Sequence, residues 1–237
     1  MTGADANAVA IIPARGGSKR LPRKNVIDFL GRPIIAYTIE AAIESGCFSR
    51  VVVSTEDEEI AAAAERFGAI VDHRRPELAT DATGVVAVCL DFLEREARAG
   101  RRWQTMCCLY ATAPLRIAAD IRATMALLSP ELCDFAMAVT AFDHQPHQAL
   151  QFAADGRLTP MWPELVERRA SDLPVLRVGN GSTYAVNVPK FMSRCSFYGP
   201  AMRGYEMPRD RSVDIDTADD LALALYFARS RPTVNQA

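Results

Sequence analysis

Along the first 140 residues, short runs of β-branched and apolar side chains alternate with longer stretches in which apolar positions return every three or four residues. The first pattern predicts strands over 8–13, 50–54, 106–110 and 135–140, and the second predicts helices over about 33–45, 57–67, 84–99 and 118–128. Apolar runs without polar alternation belong to strands buried on both faces. The order strand, helix, strand therefore predicts an α/β fold, a three-layer Rossmann-like arrangement in which helices cover a mainly parallel central sheet. The punctuation agrees: Pro33 suits a first helical turn, Gly46 and Gly68 suit helix ends, and acidic residues crowd the start of the 57–67 helix.

The rhythm breaks between 141 and 181. Prolines at 146, 160, 163 and 174 interrupt that segment, and its apolar residues gather around Phe152 and Met161-Trp162. It is expected to form an inserted arm on a single domain spanning 1–237, rather than more sheet. A strand over 182–188 returns to the core, and a last helix over 218–229 is announced by Thr217 with Asp220 three residues on, a capping-box spacing. The chain has no internal repeat, and its polar end at 232–237 reads as a frayed tail.

Composition narrows the function. Of 237 residues, 27 are Lys or Arg and 29 are Asp or Glu, for a formal net charge of −2. That balance creates no global field of one sign, which argues against nucleic-acid or acidic-membrane partners and requires any phosphate site to be a local cluster. Six cysteines are scattered without C-x-x-C spacing, the usage of reduced core thiols in a cytoplasmic protein. The first seven residues lack the basic and apolar regions of a signal peptide, and no apolar run approaches the ~20 residues needed to span a bilayer. His144 and His147 stand close together without Cys or acidic partners at zinc-ligand spacing, and read as loop or pocket residues.

Chemistry concentrates in three stretches. Directly after the first strand, Pro13 to Asn25 supply five cations, the adjacent Gly16 and Gly17, and Ser18. At the carboxyl end of a parallel strand, the backbone from Ala14 to Ser18 can approach a polyphosphate closely while Arg and Lys neutralise it. The glycine spacing matches neither G-x-G-x-x-G nor G-x-x-x-x-G-K-[ST], and the alternative is a solvated basic turn. In Ser212-Val213-Asp214-Ile215-Asp216-Thr217, alternation along an extended segment puts both carboxylates on one side, where they can share a hard cation. Otherwise Asp216 supports a helix start and Asp214 is surface charge. In Leu109 to Arg116, Tyr110 and Thr112 can hydrogen-bond a ligand and Arg116 can meet an acid, unless the stretch is an ordinary strand-to-helix turn.

Taken together and in this order, these stretches resemble the CMP-sialic acid synthetase (acylneuraminate cytidylyltransferase) family over nearly the whole chain. The matching segments are 11–25, 51–57, Arg75-Pro76-Glu77-Leu78-Ala79-Thr80-Asp81, 110–116, Asn180-Gly181 and 212–217. The resemblance implies a nucleotide-diphospho-sugar transferase fold and a reaction in which the anomeric hydroxyl of an acidic nine-carbon sugar attacks the α-phosphate of CTP, with Mg2+ as cofactor. It implies that Arg15, Gly16, Ser18 and Lys24 hold the phosphates, with Ala14, Gly17 and Thr112 beside them. Asn25, Arg75 and Asp81 would surround the nucleoside, and Asp214 and Asp216 would hold magnesium. Arg15, Lys24 and Asp216 are the catalytic candidates, and the base that takes the sugar's proton is left open. A homodimer is also implied, its arm crossing to border the partner's active site.

Tyr110, Gln148, Tyr184 and Phe197 are the sugar-pocket candidates. Tyr110-Ala111 stands where sialic acid synthetases usually carry Gln-Pro, and Gln148 stands where a lysine is expected. Both departures, with Met161-Trp162-Pro163-Glu164 and Arg169-Ala170-Ser171-Asp172-Leu173, resemble the pseudaminic acid branch. Asn180-Gly181-Ser182-Thr183-Tyr184 departs from that branch's Gly-Gln-Phe-Tyr pattern, which keeps legionaminic and N-acetylneuraminic acid open. The rival readings are a CMP-Kdo synthetase or sugar-1-phosphate pyrophosphorylase, and a non-catalytic nucleotide-sugar-binding module.

Overall fold

A computed structural model describes residues 5–230; the first four residues and the expected tail at 232–237 lie outside the described residues. β1 (Asp5–Pro13) runs through the centre of the sheet, and Ala8 to Ile12 are all fully buried, which is why that run shows no polar alternation. A hairpin follows that the hydrophobic pattern does not announce. β2 (Asp28–Phe29) and β3 (Arg32–Pro33) pair antiparallel across Leu30 and Gly31, whose φ values of 52° and 83° are what a two-residue type I′ turn demands.

α1 (Ile34–Ser45) starts after Pro33 and ends at Gly46, whose φ of 64° only glycine adopts without strain. β4 (Phe48–Thr55) leads to α2 (Glu58–Arg66), where the Asp57 carboxylate accepts the Glu59 and Ile60 N–H groups at 3.0 Å. β5 (Ile70–His73), α3 (Val85–Arg98), β6 (Thr105–Leu109), α4 (Ala118–Met125) and β7 (Phe135–Thr140) complete the alternating part.

The broken rhythm that follows corresponds to an exposed excursion. It contains a hairpin of β8 (Leu150–Phe152) and β9 (Leu158–Pro160) and single 3-10 turns at Pro146–Gln148 and Ala170–Asp172. β10 (Val178–Asn187) returns to the sheet at Val178, inside the stretch read as arm, because Val178 and Gly179 pair with Thr140 and Val139 of β7 through the backbone alone. α5 (Val188–Arg194), β11 (Arg203–Glu206) and α6 (Ala218–Ser230) finish the chain. At the start of α6, Asp220 Oδ2 accepts from the Thr217 N–H and hydroxyl at 2.9 and 2.8 Å, and the Asp220 N–H donates to Thr217 Oγ1 at 3.3 Å, the reciprocal capping expected from the spacing.

The seven strands order as β11-β7-β10-β6-β1-β4-β5. β10 runs antiparallel to both neighbours and every other pairing is parallel, so the sheet is mainly parallel as expected. α1, α2 and α4 cover one face through Ile35, Ile39, Ile60, Ala64 and Ile121, while α3 and α5 cover the other through Cys89, Phe92, Leu93 and Phe191. A smaller core joins Phe29 of the early hairpin to Leu115, Val213, Ile215 and Ala224 of α6, tying the chain's end to its beginning. No helix among the described residues is long and apolar enough to cross a membrane.

Candidate active site

The basic loop leaves the carboxyl end of β1 pinned at both ends. The Ala14 N–H donates to the Ser54 carbonyl at 3.0 Å, prolonging the β1–β4 pairing, and buried Asn25 donates from Nδ2 to the Arg15 carbonyl at 2.9 Å. Gly16 gives its N–H to Glu56 Oε1 at 2.8 Å, and a side chain on it would collide with the Asp57 carboxylate. Gly17 faces open space. Beyond the loop lies a cavity of about 520 Å³, walled by Arg15, Ser18, Lys24, Asn25, Asp81, Tyr110 and Thr112 among the expected residues.

The cations of this wall are already held by acids. Arg15 pairs with Asp81 at 2.5 Å and Lys19 joins the same carboxylate, which together hold the Asp81 carboxyl below its usual range. Lys24 Nζ meets Asp216 Oδ1 at 2.6 Å, and Arg20 meets Asp216 Oδ2 at 2.8 Å. Four positive groups therefore point into one site through two carboxylates that a polyphosphate can replace.

The acidic stretch has the alternation its sequence requires. Val213 and Ile215 are buried while Asp214 and Asp216 are half-buried on the opposite side, and Thr112 secures the stretch twice: its hydroxyl donates to Asp214 Oδ1 at 2.5 Å and its carbonyl accepts the Ile215 N–H at 2.9 Å. Gly181, at φ 69°, lies so close that a Cβ there would strike the Asp214 carboxylate. Burial pushes the Asp214 carboxyl above its usual range, opposed by the Thr112 hydrogen bond, and the charge of Asp216 adds to the rise. Asp216 is also penalised by burial, but the Lys24 and Arg20 contacts outweigh that and hold it low.

Two oxygen donors, one carrying a charge that its surroundings penalise, fit a hard divalent cation. Among the described residues no group of three or more His, Cys, Asp or Glu is placed to hold a metal, so phosphate oxygens and water would complete the coordination.

Other candidates are dispersed. Arg75 pairs with Asp91 of α3, and it is Arg74, buried and donating to the Ser54 carbonyl at 2.6 Å, that lines the cavity. Tyr110 and Tyr184 join an aromatic row with Phe197 and Phe191, with ring centroids 5.5, 5.2 and 4.9 Å apart in turn. Burial pushes the Tyr184 hydroxyl up to about 12. Phe197 is core behind that row, and Gln148 is exposed on the arm, outside the cavity wall. Arg116, read as able to meet an acid, is buried and donates instead to the Ser182 carbonyl at 2.6 Å and Thr38 Oγ1 at 2.7 Å.

Arg20 and Glu56 also enter the site, the first on Asp216 and the second on the Gly16 N–H, without a specific signal in the sequence. Arg20 carried only the general signal of a basic loop. For Arg74 the readable signal was a strand ending in Arg-Arg-Pro, but β5 itself was not predicted, so which arginine faces the cavity was not decidable.

A model of the Cytidylyltransferase family matches residues 9–146. Pseudaminic acid cytidylyltransferase of Campylobacter jejuni is 34% identical over 220 residues, covering 91% of this chain and 94% of that protein. CMP-N,N'-diacetyllegionaminic acid synthase of Legionella pneumophila is 33% identical over 220 residues, covering 91% and 93%. In fold, the chain is similar to the solved structure of CMP:2-keto-3-deoxy-manno-octonic acid synthetase complexed with CTP, with a TM-score of 0.69 at 19% identity over 94% of this chain and 99% of that one. With a cation-lined cavity at the carboxyl edge of its sheet and relatives of this kind over nearly its whole length, the chain belongs to the cytidylyltransferase family of nucleotidyltransferases.

Proposed function

We propose that this enzyme couples CTP to a nonulosonic acid, with pseudaminic acid the first choice, to give the CMP-sugar and pyrophosphate. The observation that carries this reading is the meeting of the basic loop and the acidic stretch, where Lys24 and Arg20 of the cavity wall pair with Asp216 at 2.6 and 2.8 Å. The loop supplies charge for a triphosphate and the two aspartates supply oxygen ligands beside it, the pairing that nucleotidyl transfer needs.

The anomeric hydroxyl of the sugar gives its proton to an unassigned base and its oxygen forms a bond to the α-phosphorus, as the bond from the α-phosphorus to the α,β-bridging oxygen breaks and pyrophosphate leaves with that electron pair. Arg15 and Lys24 neutralise the charge that builds on pyrophosphate, with Ala14, Gly16, Gly17 and Ser18 bordering the phosphates. Asn25, Asp81 and Arg75 border the nucleoside in this reading, and the inward placement of Arg74 supports adding it to them. Asp214 and Asp216 would hold magnesium, which would supply further neutralisation of phosphate charge when bound. The Thr112 hydroxyl fixes the Asp214 carboxylate in place.

Tyr110 and Tyr184, backed by the buried ring of Phe197, form the aromatic side of the acceptor pocket, and Gln148 reaches it from the partner in a homodimer that exchanges the 141–181 arm. Support for the exchange is the arm's unpartnered apolar surface, where Phe152 and Val175 are 74% and 81% exposed. The chain acts as a single domain over 1–237, and its need for CTP and its free thiols favour the cytoplasm.

The test is pyrophosphate release from CTP and magnesium with pseudaminic, legionaminic and N-acetylneuraminic acids in parallel, with wild type beside Asp216→Ala. Turnover with one sugar, reduced about 10²–10³-fold or more in the variant, is expected. Silence with all three sugars sinks the nonulosonate assignment, and undiminished turnover in the variant sinks the role of Asp216.

A further inference from the structure

Arg116 is a buried cation whose place in the mechanism is not accounted for by the substrate contacts above. It is 2% exposed and forms no ion pair among the described residues. One arm of its guanidinium donates to the Ser182 carbonyl at 2.6 Å and reaches toward the Tyr110 carbonyl at 3.5 Å; the other donates to Thr38 Oγ1 at 2.7 Å, and Nε has no hydrogen-bond partner. A buried charge without a counter-ion is costly, and an apolar side chain would pack a strand-to-helix turn without that cost.

What the guanidinium joins explains its presence. Tyr110 follows the last residue of β6, and Ser182 lies in β10 beside it, where the Tyr110 N–H donates to the Ser182 carbonyl at 3.1 Å. These two strand segments flank Asp214. Thr112, two residues beyond Tyr110, donates to Asp214 Oδ1 at 2.5 Å, and Gly181, one residue before Ser182, lies against the same carboxylate with no room for a Cβ. Thr38 of α1 braces the arrangement, its hydroxyl donating to the Tyr110 carbonyl at 3.2 Å.

The charge has a destination as well. Burial lowers the Arg116 pKa to about 10, and the carboxylates whose field opposes that fall are Asp120 and Asp214. Asp120 is already bound in two places by Arg211, at 3.0 and 2.8 Å, whereas Asp214 forms no ion pair among the described residues.

We propose that Arg116 is a positioning residue for the acidic end of the site: its guanidinium holds the segment that follows β6 to the middle of β10 in the register that sets Asp214, and places a positive charge behind them. The proposal rests on the reading that Asp214 and Asp216 take magnesium.

The test is a calorimetric titration of magnesium into CTP-saturated protein, for wild type, Arg116→Gln and Thr38→Val, with CTP affinity without metal and the thermal unfolding midpoint measured alongside. Losing a group that orients a metal ligand weakens metal binding by roughly 10–100-fold, and that is the effect expected in Arg116→Gln, with CTP affinity nearly unchanged. Thr38→Val, which keeps the charge but removes one brace, is expected to fall between it and wild type.

Unaltered magnesium affinity in folded Arg116→Gln overturns the proposal. So does an equal fall in magnesium and CTP affinity that tracks the unfolding midpoint, because that is a merely structural role. If Arg116→Gln does not fold, Thr38→Val decides, and unaltered magnesium affinity there overturns the proposal. Wild type that binds no magnesium overturns both this proposal and the metal reading, whereas magnesium binding without turnover on any of the three sugars removes only the acceptor assignment.

Discussion

At Gly181 the geometry of the site depends on a missing side chain. The residue sits at φ 69° against the Asp214 carboxylate, so alanine there meets both backbone strain and a collision. Gly181→Ala is expected to cost about 1–3 kcal/mol of stability and to reduce turnover more than CTP binding, since it displaces Asp214 and leaves the basic loop alone. Gly31→Ala is the control: φ is 83° but nothing lies near the added carbon, so stability falls and turnover does not. Denaturant unfolding and steady-state pyrophosphate release on both variants separate the two effects. At this scale the Asp214 and Asp216 pair was readable because a period of two needs only the sequence. The choice between Arg74 and Arg75 was not, because it depends on where β5 ends and how the chain turns after it.

Among the elements, α3 shows how a helix end is locked to its surroundings. Glu96 accepts from Arg101 Nε and Nη2 at 2.7 and 2.6 Å, from Arg50 of β4 at 3.2 Å and from Trp103 Nε1 at 3.3 Å. The Arg101 hydrogen bonds outweigh burial and hold the Glu96 carboxyl below its usual range. A depressed carboxyl stabilises the fold above its unfolded-state pKa of about 4.3, and that contribution is lost as pH falls through the lower folded value. Glu96→Gln is therefore expected to cost about 1–3 kcal/mol near neutral pH. Its deficit relative to wild type should shrink as pH drops below about 4 in urea titrations. Five of the six α-helices among the described residues were legible from periodicity and caps, whereas the seven-residue α5, too short for a periodic stripe, was not. The short strands β5 and β11 were not: β11, Arg-Gly-Tyr-Glu, has no apolar pattern and exists because β7 offers it a backbone ladder.

For the whole molecule the arm is the feature a single chain leaves unsatisfied. Phe152, Leu158, Met161 and Val175 are all more than half exposed, an apolar surface that association would cover. Sedimentation equilibrium is expected to give twice the mass of one chain, and Phe152→Asp with Val175→Asp to give a monomer that still binds CTP but turns over poorly. A monomeric wild type with full turnover overturns the arm exchange. The alternation of buried strands and amphipathic helices, the basic loop after β1 and the paired aspartates before α6 are each written in neighbouring residues, and follow from local periodicity and backbone chemistry. No local pattern announces that Lys24 meets Asp216 across 192 positions, that Thr112 and Gly181 enclose Asp214, or that Arg116 lies buried behind them. Those contacts arise from the order in which seven strands pack side by side, and strand order depends on the packing of the whole core rather than on any one segment.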